Sequence, residues 1–140
     1  MIIGLDHIGI ALDNIEELGS FLENVLGIPL TGIEEVPERK LKVAFYPIGE
    51  TDLELLEETG EGSTIAYFLK SRGNGLQHLA FQVEDIDKAV EYMKSKGIEF
   101  IEDEPKKGAR SRRIIFMKMI KKNTGTAIDL PIEILKVSDL

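Results

Sequence analysis

Apolar positions dominate the first dozen residues. Ile2, Ile3, Leu5, Ile8 and Ile10, with polar residues between them, predict a strand over 2–11. Asn14 then reads as a helix N-cap with Glu17 as its capping-box partner. Ile15, Leu18, Phe21, Leu22, Val25 and Leu26 follow at helical spacing until Gly27 ends the run. Three strands are expected near 29–36, 40–48 and 51–58, punctuated by Pro37, Pro47 and Gly49. A short helix over 63–72, stopped by Gly73, leads into a second series. That series opens with strand 75–83 and continues with a helix from Asp85 to about Lys96, which buries Ile86, Ala89, Val90 and Met93 and stops at Gly97. Strands near 98–102, 112–119 and 130–137 complete it, with residues 107–111 as a loop tip.

Each half therefore reads β-α-β-β-β, and the halves share text as well as pattern. Gly4-Leu5-Asp6-His7-Ile8 matches Gly75-Leu76-Gln77-His78-Leu79, with 71 residues separating 7 from 78. Ala11-Leu12-Asp13-Asn14-Ile15 corresponds to Gln82-Val83-Glu84-Asp85-Ile86, and Gly27-Ile28-Pro29-Leu30 to Gly97-Ile98-Glu99-Phe100. Leu53-Glu54-Leu55-Leu56 has its counterpart in Ile132-Glu133-Ile134-Leu135, now 79 residues on (54 to 133). The register gains eight residues between these landmarks, which places an insertion in the Lys121-to-Ile128 stretch. The expected fold is α+β: two tandem βαβββ modules with pseudo-two-fold symmetry, forming a curved mixed sheet around a metal-binding groove. Residues 1–140 would form one domain, with module one at about 1–62, a connecting helix at 63–72 and module two at about 73–140.

Both histidines of the chain sit at repeat-equivalent places, as do Glu54 and Glu133. A strand histidine alone can be a hydrogen-bonded structural residue, and a glutamate between aliphatics can simply face water. Four ligand-type residues at matching positions instead suggest one metal site built from His7, Glu54, His78 and Glu133. Gly9 and Ala80, two residues past each histidine, would leave space beside the rings. Two imidazoles and two carboxylates suit Co, Mn, Ni, Zn or Fe(II) better than a thiolate-loving metal, and leave two coordination positions open on a six-coordinate ion.

Composition narrows the function classes. The chain has no cysteine, which removes disulfides, thiolate nucleophiles and Cys-ligated zinc, and fits a cytoplasmic protein. No run of eighteen apolar residues appears, so neither a membrane span nor a signal peptide is expected. A net charge of −8 argues against nucleic acid as partner. The segment 106–122 nevertheless carries Lys106, Lys107, Arg110, Arg112, Arg113, Lys118, Lys121 and Lys122 without an acid. It is either a solvated face or a strip that guides a polyanion such as a phosphorylated thiol carrier.

The chain resembles the vicinal oxygen chelate (glyoxalase/bleomycin resistance/dioxygenase) superfamily and, within it, the methylmalonyl-CoA epimerase family. The resemblance rests on Asp6-His7-Ile8-Gly9-Ile10-Ala11, Glu34-Glu35-Val36-Pro37-Glu38, Val43-Ala44-Phe45, Leu53-Glu54-Leu55-Leu56-Glu57 and Ile65-Ala66-Tyr67-Phe68-Leu69. It continues through Gly75-Leu76-Gln77-His78-Leu79-Ala80-Phe81, Val83-Glu84-Asp85-Ile86, Asp103-Glu104-Pro105 and Pro131-Ile132-Glu133-Ile134. It implies the same four metal ligands, one divalent ion, and epimerisation of methylmalonyl-CoA or a similar acyl thioester through a stabilised enolate. Glu133 is then the candidate general base, or purely a ligand, and a homodimer is implied. Departures are informative. Position 54 is often Gln in the epimerases, whereas His/Glu/His/Glu is also the set of bacterial glyoxalase I, which isomerises a thiol adduct. Phe116-Met117-Lys118-Met119-Ile120 replaces a usual Phe-[Leu/Met]-His-Pro-Lys segment, and Val43 stands where some members place an acidic second base. The substrate-binding residues stay unassigned. The alternatives are a glyoxalase I and a non-catalytic small-molecule-binding protein of the same fold, against which the low aromatic content (6%) weighs.

Overall fold

The computed structural model describes residues 1–118 and 132–136. The expected insertion at 121–128, the outer ends of the last two expected strands, Met119, Ile120, Lys121, Lys122 and Pro131 lie outside the described residues. The fold is mixed α+β, and the chain divides into two compact units. One comprises His7–Gln77; the other comprises Met1–Asp6 with His78–Leu140.

In the first unit, β1 (Ile2–Leu12, entering the unit at His7) is followed by α1 (Ile15–Asn24), β2 (Gly32–Val36), β3 (Leu41–Ile48), β4 (Thr51–Glu58) and α2 (Ala66–Arg72). Its strands lie in the order β2-β3-β4-β1, with β1 parallel to β4 and β3 antiparallel to both neighbours. The second unit contains most of β5 (Gly75–Val83), then α3 (Ile86–Ser95), β6 (Lys106–Lys107), β7 (Arg113–Phe116) and β8 (Ile132–Lys136). It repeats the arrangement: β5 is parallel to β8, and β8-β7-β6 are antiparallel.

Period-2 alternation gives each sheet one face for its helix. Ile10, Leu12, Ala44, Tyr46, Leu53 and Leu55 pack with Ile15, Leu18 and Leu22 of α1. Phe81, Val83, Ile115, Ile132 and Ile134 pack with Ile86, Ala89, Val90 and Met93 of α3. Both helices start on side-chain caps. The Asn14 side chain accepts from the Glu16 amide at 2.7 Å, and the Asp85 side chain accepts from the Lys88 amide at 3.1 Å. The Ile15 amide donates to Glu57 of β4 at 2.9 Å, so a residue distant in sequence, not the local Glu17, completes the α1 cap.

Three expectations change. Phe21, Val25 and Leu26 belong to the apolar stripe in sequence, yet they are 47%, 66% and 55% exposed. Phe21 lies about 120° around the axis from Ile15, and the helix ends at Asn24 before Leu26 can face the sheet. The strand expected at 98–102 shrinks to a single bridge, Phe100 with Met117, flanked by backbone bonds Ile101 to Phe116 and Lys118 to Glu99, both 2.9 Å. The following Glu102-Asp103-Glu104-Pro105 lacks strand-forming residues, and pairing resumes only at the two-residue β6. The loop tip at 107–111 contains a 3-10 turn, Ala109–Ser111, with Arg110 and Ser111 at φ 58° and 56°.

Gly19 sits where α1 crosses β3. A Cβ there would lie 2.5 Å from the Tyr46 hydroxyl, which donates to Glu23 at 3.2 Å. Burial first, then the charge of Glu23, pushes the Tyr46 phenol above its ordinary value. Gly19→Ala would normally strengthen a helix by about 1 kcal/mol. Here the buried ring must give way, and urea denaturation is expected to show a net loss of about 1–3 kcal/mol.

Candidate metal centre

The parallel pairing of β1 with β4 sets Gly9 opposite Glu54, and that of β5 with β8 sets Ala80 opposite Glu133. In each case the histidine lies two residues earlier on the same face. The glutamate is therefore its diagonal neighbour, with only a hydrogen or a methyl directly across. That small residue gives the carboxylate room to lean back toward the imidazole. His7 Nδ1 stands 3.0 Å from Glu54 Oε2, and His78 Nε2 stands 3.8 Å from Glu133 Oε2. All four side chains are buried. The alternative of glutamates facing water is thus removed for both. Leu53 and Leu55 bracket Glu54 but point to the α1 side, so the acid alone faces away from the helix layer.

The sequence reading missed an aromatic partner for each pair. Phe45 lies opposite Glu54 across β3–β4, and Phe116 lies opposite Glu133 across β7–β8. The interval from 7 to 45 and from 78 to 116 is 38 residues in each case, so the repeat signal was present but unused. The Phe116 ring meets His78 edge-on, with centroids 5.2 Å apart at 77°, a contact that restrains the imidazole plane. Ala80, Ile114, Leu135 and Phe116 form an apolar cluster on this face of the second unit.

Beside it lies a buried ion pair. Asp6 Oδ1 accepts from Arg112 Nη1 and from Gln82 Nε2, both at 2.7 Å. Arg113 binds exposed Asp87 through two bonds of 2.9 and 3.0 Å, and Lys106 lies 3.7 Å from Glu104. The basic segment is therefore not a uniform cationic strip. Arg112 is internal, and Arg113 and Lys106 are neutralised by acids from outside the run, which counting charges along the segment cannot reveal.

The donor set suits a borderline divalent ion: nitrogen and carboxylate ligands, no sulfur, and buried carboxylates whose charge calls for compensation.

Comparison with known proteins gives a consistent picture. The family model described as the glyoxalase/bleomycin resistance protein/dioxygenase superfamily matches residues 6–116. The uncharacterized protein YqjC of Bacillus subtilis is 36% identical over 126 residues, covering 90% of this chain and 89% of that protein. The ethylmalonyl-CoA/methylmalonyl-CoA epimerase of Cereibacter sphaeroides is 34% identical over 119 residues, covering 84% of this chain and 89% of that protein. The mitochondrial methylmalonyl-CoA epimerase of Homo sapiens is 35% identical over 114 residues, covering 81% of this chain, which spans 65% of that protein's length. A variant of Streptomyces coelicolor methylmalonyl-CoA epimerase, in complex with 2-nitronate-propionyl-CoA, superposes with a TM-score of 0.88 at 27% identity. That match covers 99% of this chain and all of that one (100%).

Removing Asp6 would take the ion-pair carboxylate away from the buried Arg112 guanidinium. Asp6→Ala is expected to cost about 3–5 kcal/mol in chemical denaturation. Asp87→Ala, which breaks the solvent-exposed pair with Arg113, should cost less than about 1 kcal/mol.

Proposed function

The chain belongs to the glyoxalase/bleomycin resistance protein/dioxygenase superfamily, and on that footing we propose that it is a divalent-metal-dependent epimerase of methylmalonyl-CoA or a closely similar 2-substituted acyl thioester. The observation that carries the reading is the buried His–Glu pair repeated in the same strand register in both units. The names of the epimerase relatives, and the acyl-CoA analogue bound in one of them, support the substrate class.

His7, Glu54, His78 and Glu133 would together hold one ion. Bound there, a divalent cation would supply Lewis acidity toward the thioester carbonyl and the substrate carboxylate, acidifying the C–H between them. Glu133 is the proposed first base. Its oxygen stands 3.8 Å from His78, beyond hydrogen-bonding length, whereas Glu54 is drawn to 3.0 Å of His7. The looser carboxylate can reach for the α-proton and hand it back, while the tighter one keeps its place. Ala80, Ile114, Leu135 and Phe116 shield this side from water, which protects an enolate from adventitious protonation. Exposed Lys107 precedes the turn before β7 and exposed Arg110 lies within it, where carrier phosphates would find positive charge.

Metal analysis after dialysis should find about one divalent ion per chain, and His7→Ala and His78→Ala should each abolish it. Two independent sites, one per unit, would instead leave each variant with half the metal. Proton NMR in D2O with methylmalonyl-CoA and Co(II) should show enzyme-dependent loss of the α-proton signal. No exchange, together with turnover of a methylglyoxal–thiol adduct, would reassign the protein as a glyoxalase I.

A further inference from the structure

Two rings converge over β8 within the second unit. Pairing of β7 with β8 sets Phe116 directly opposite Glu133, and pairing of β5 with β8 sets Ala80 opposite the same residue. His78 lies two residues before Ala80 on that face, so Phe116 and His78 flank β8 from either side. With strands about 4.8 Å apart and about 3.4 Å per residue, their Cα atoms lie roughly 12 Å from one another. The ring centroids are nevertheless only 5.2 Å apart, at 77°. Both side chains therefore reach across β8 toward each other, on the face from which Glu133 projects. Glu133 Oε2 stands 3.8 Å from His78 Nε2, and donors so spaced can share an ion whose bonds are about 2.1 Å long.

The phenyl ring is a rigid support. Ala80, Ile114 and Leu135, all buried, pack with it. Its backbone is held on both sides: the Ile101 amide donates to the Phe116 carbonyl and the Met117 amide to the Ile132 carbonyl, each at 2.9 Å. The imidazole, by contrast, has one soft coordinate. Its terminal torsion is broad and roughly two-fold, and that torsion decides where Nε2 and its in-plane lone pair point. A metal-ligating histidine needs the plane fixed, a task usually met by a hydrogen bond to its other ring nitrogen. An edge-on phenyl adds the same kind of restraint by shape. Turning the imidazole from 77° toward coplanarity would give up the edge-to-face contact.

We propose that Phe116 is a positioning residue of the candidate metal centre, an assignment that rests on the metal-dependent reading above. Its ring holds the His78 imidazole with Nε2 turned toward Glu133, so the nitrogen and the carboxylate are already gathered before an ion arrives. Binding then need not freeze the imidazole rotation, which raises affinity and fixes how the nitrogen is presented. Phe116 acts only through His78 and takes no part in proton transfer. A competing account is that Phe116 merely fills the apolar cluster, in which case any side chain of similar volume serves.

The test follows Co(II) binding to the metal-stripped full chain, by visible absorption and by the paramagnetically shifted imidazole N–H signals. Phe116→Leu, which keeps an apolar side chain but removes the ring, should bind Co(II) about 3- to 10-fold more weakly. Its visible bands should shift while it still takes up about one ion per chain. Phe116→Tyr, which keeps the ring, should restore both affinity and bands. Ile115→Val, on the opposite face of β7 and completely buried, should lose stability in urea yet bind Co(II) as the wild type does. If the Leu variant does not fold, Phe116→Met, equally ringless, takes its place. Wild-type affinity and bands in the ringless variant overturn the positioning role and leave the metal site standing. So does equal weakening in Ile115→Val or Phe116→Tyr, the mark of a general packing effect. A wild-type protein that takes up no Co(II) sinks the metal-dependent reading and the role of Phe116 with it.

Discussion

The structure depends on register. In each unit a parallel strand pair must set a small residue, Gly9 or Ala80, across from a glutamate, with a histidine two steps back on the same face. A slip of one residue would turn Glu54 or Glu133 into the helix layer and bring an aliphatic to the ligand face. That slip is resisted by packing. Leu55 beneath α1 and Ile134 beneath α3 are completely buried, and each adjoins the glutamate in sequence. Hydrophobic burial on one face thus fixes the chemistry of the other.

The repeat gives equivalent scaffolds with unequal contents. The first unit holds its pair at 3.0 Å; the second leaves 3.8 Å and sets an aromatic edge against the imidazole. On the outer strands the contrast is one of charge. Glu34 faces Val43 across β2–β3, and Lys106 faces the repeat-equivalent Ile114 across β6–β7.

The Asp6–Arg112 pair shows what a buried charge can contribute. Asp6 meets this deep guanidinium at 2.7 Å while also accepting from Gln82, giving the buried cation an opposite charge. The pair ties the residue before β7 to the start of β1, which enters the second unit only through Met1–Asp6. The β1 residues Ile2–Asp6 are thereby held by a polar bond as well as by strand pairing.

Much of this was legible in one dimension because the chain states its design twice. The matching His7 and His78 segments and the matching Glu54 and Glu133 segments identified the ligand candidates, and helix α3 was readable to its N-cap Asp85 and its stop at Gly97. Periodicity finds such features because they are local: a cap, a stripe, an alternation. What only the tertiary structure decided depends on partners far along the chain. Phe21, Val25 and Leu26 have core chemistry but no sheet beneath them, and Arg112 looks like a surface cation until Asp6, over a hundred residues away, is seen beside it. Phe116 reads as one apolar residue among several until β8 sets it opposite Glu133, with its ring against His78. A sequence records which side chains could bury, pair or ionise; only packing selects which of them do, because burial and ion pairing are properties of neighbours and not of residues.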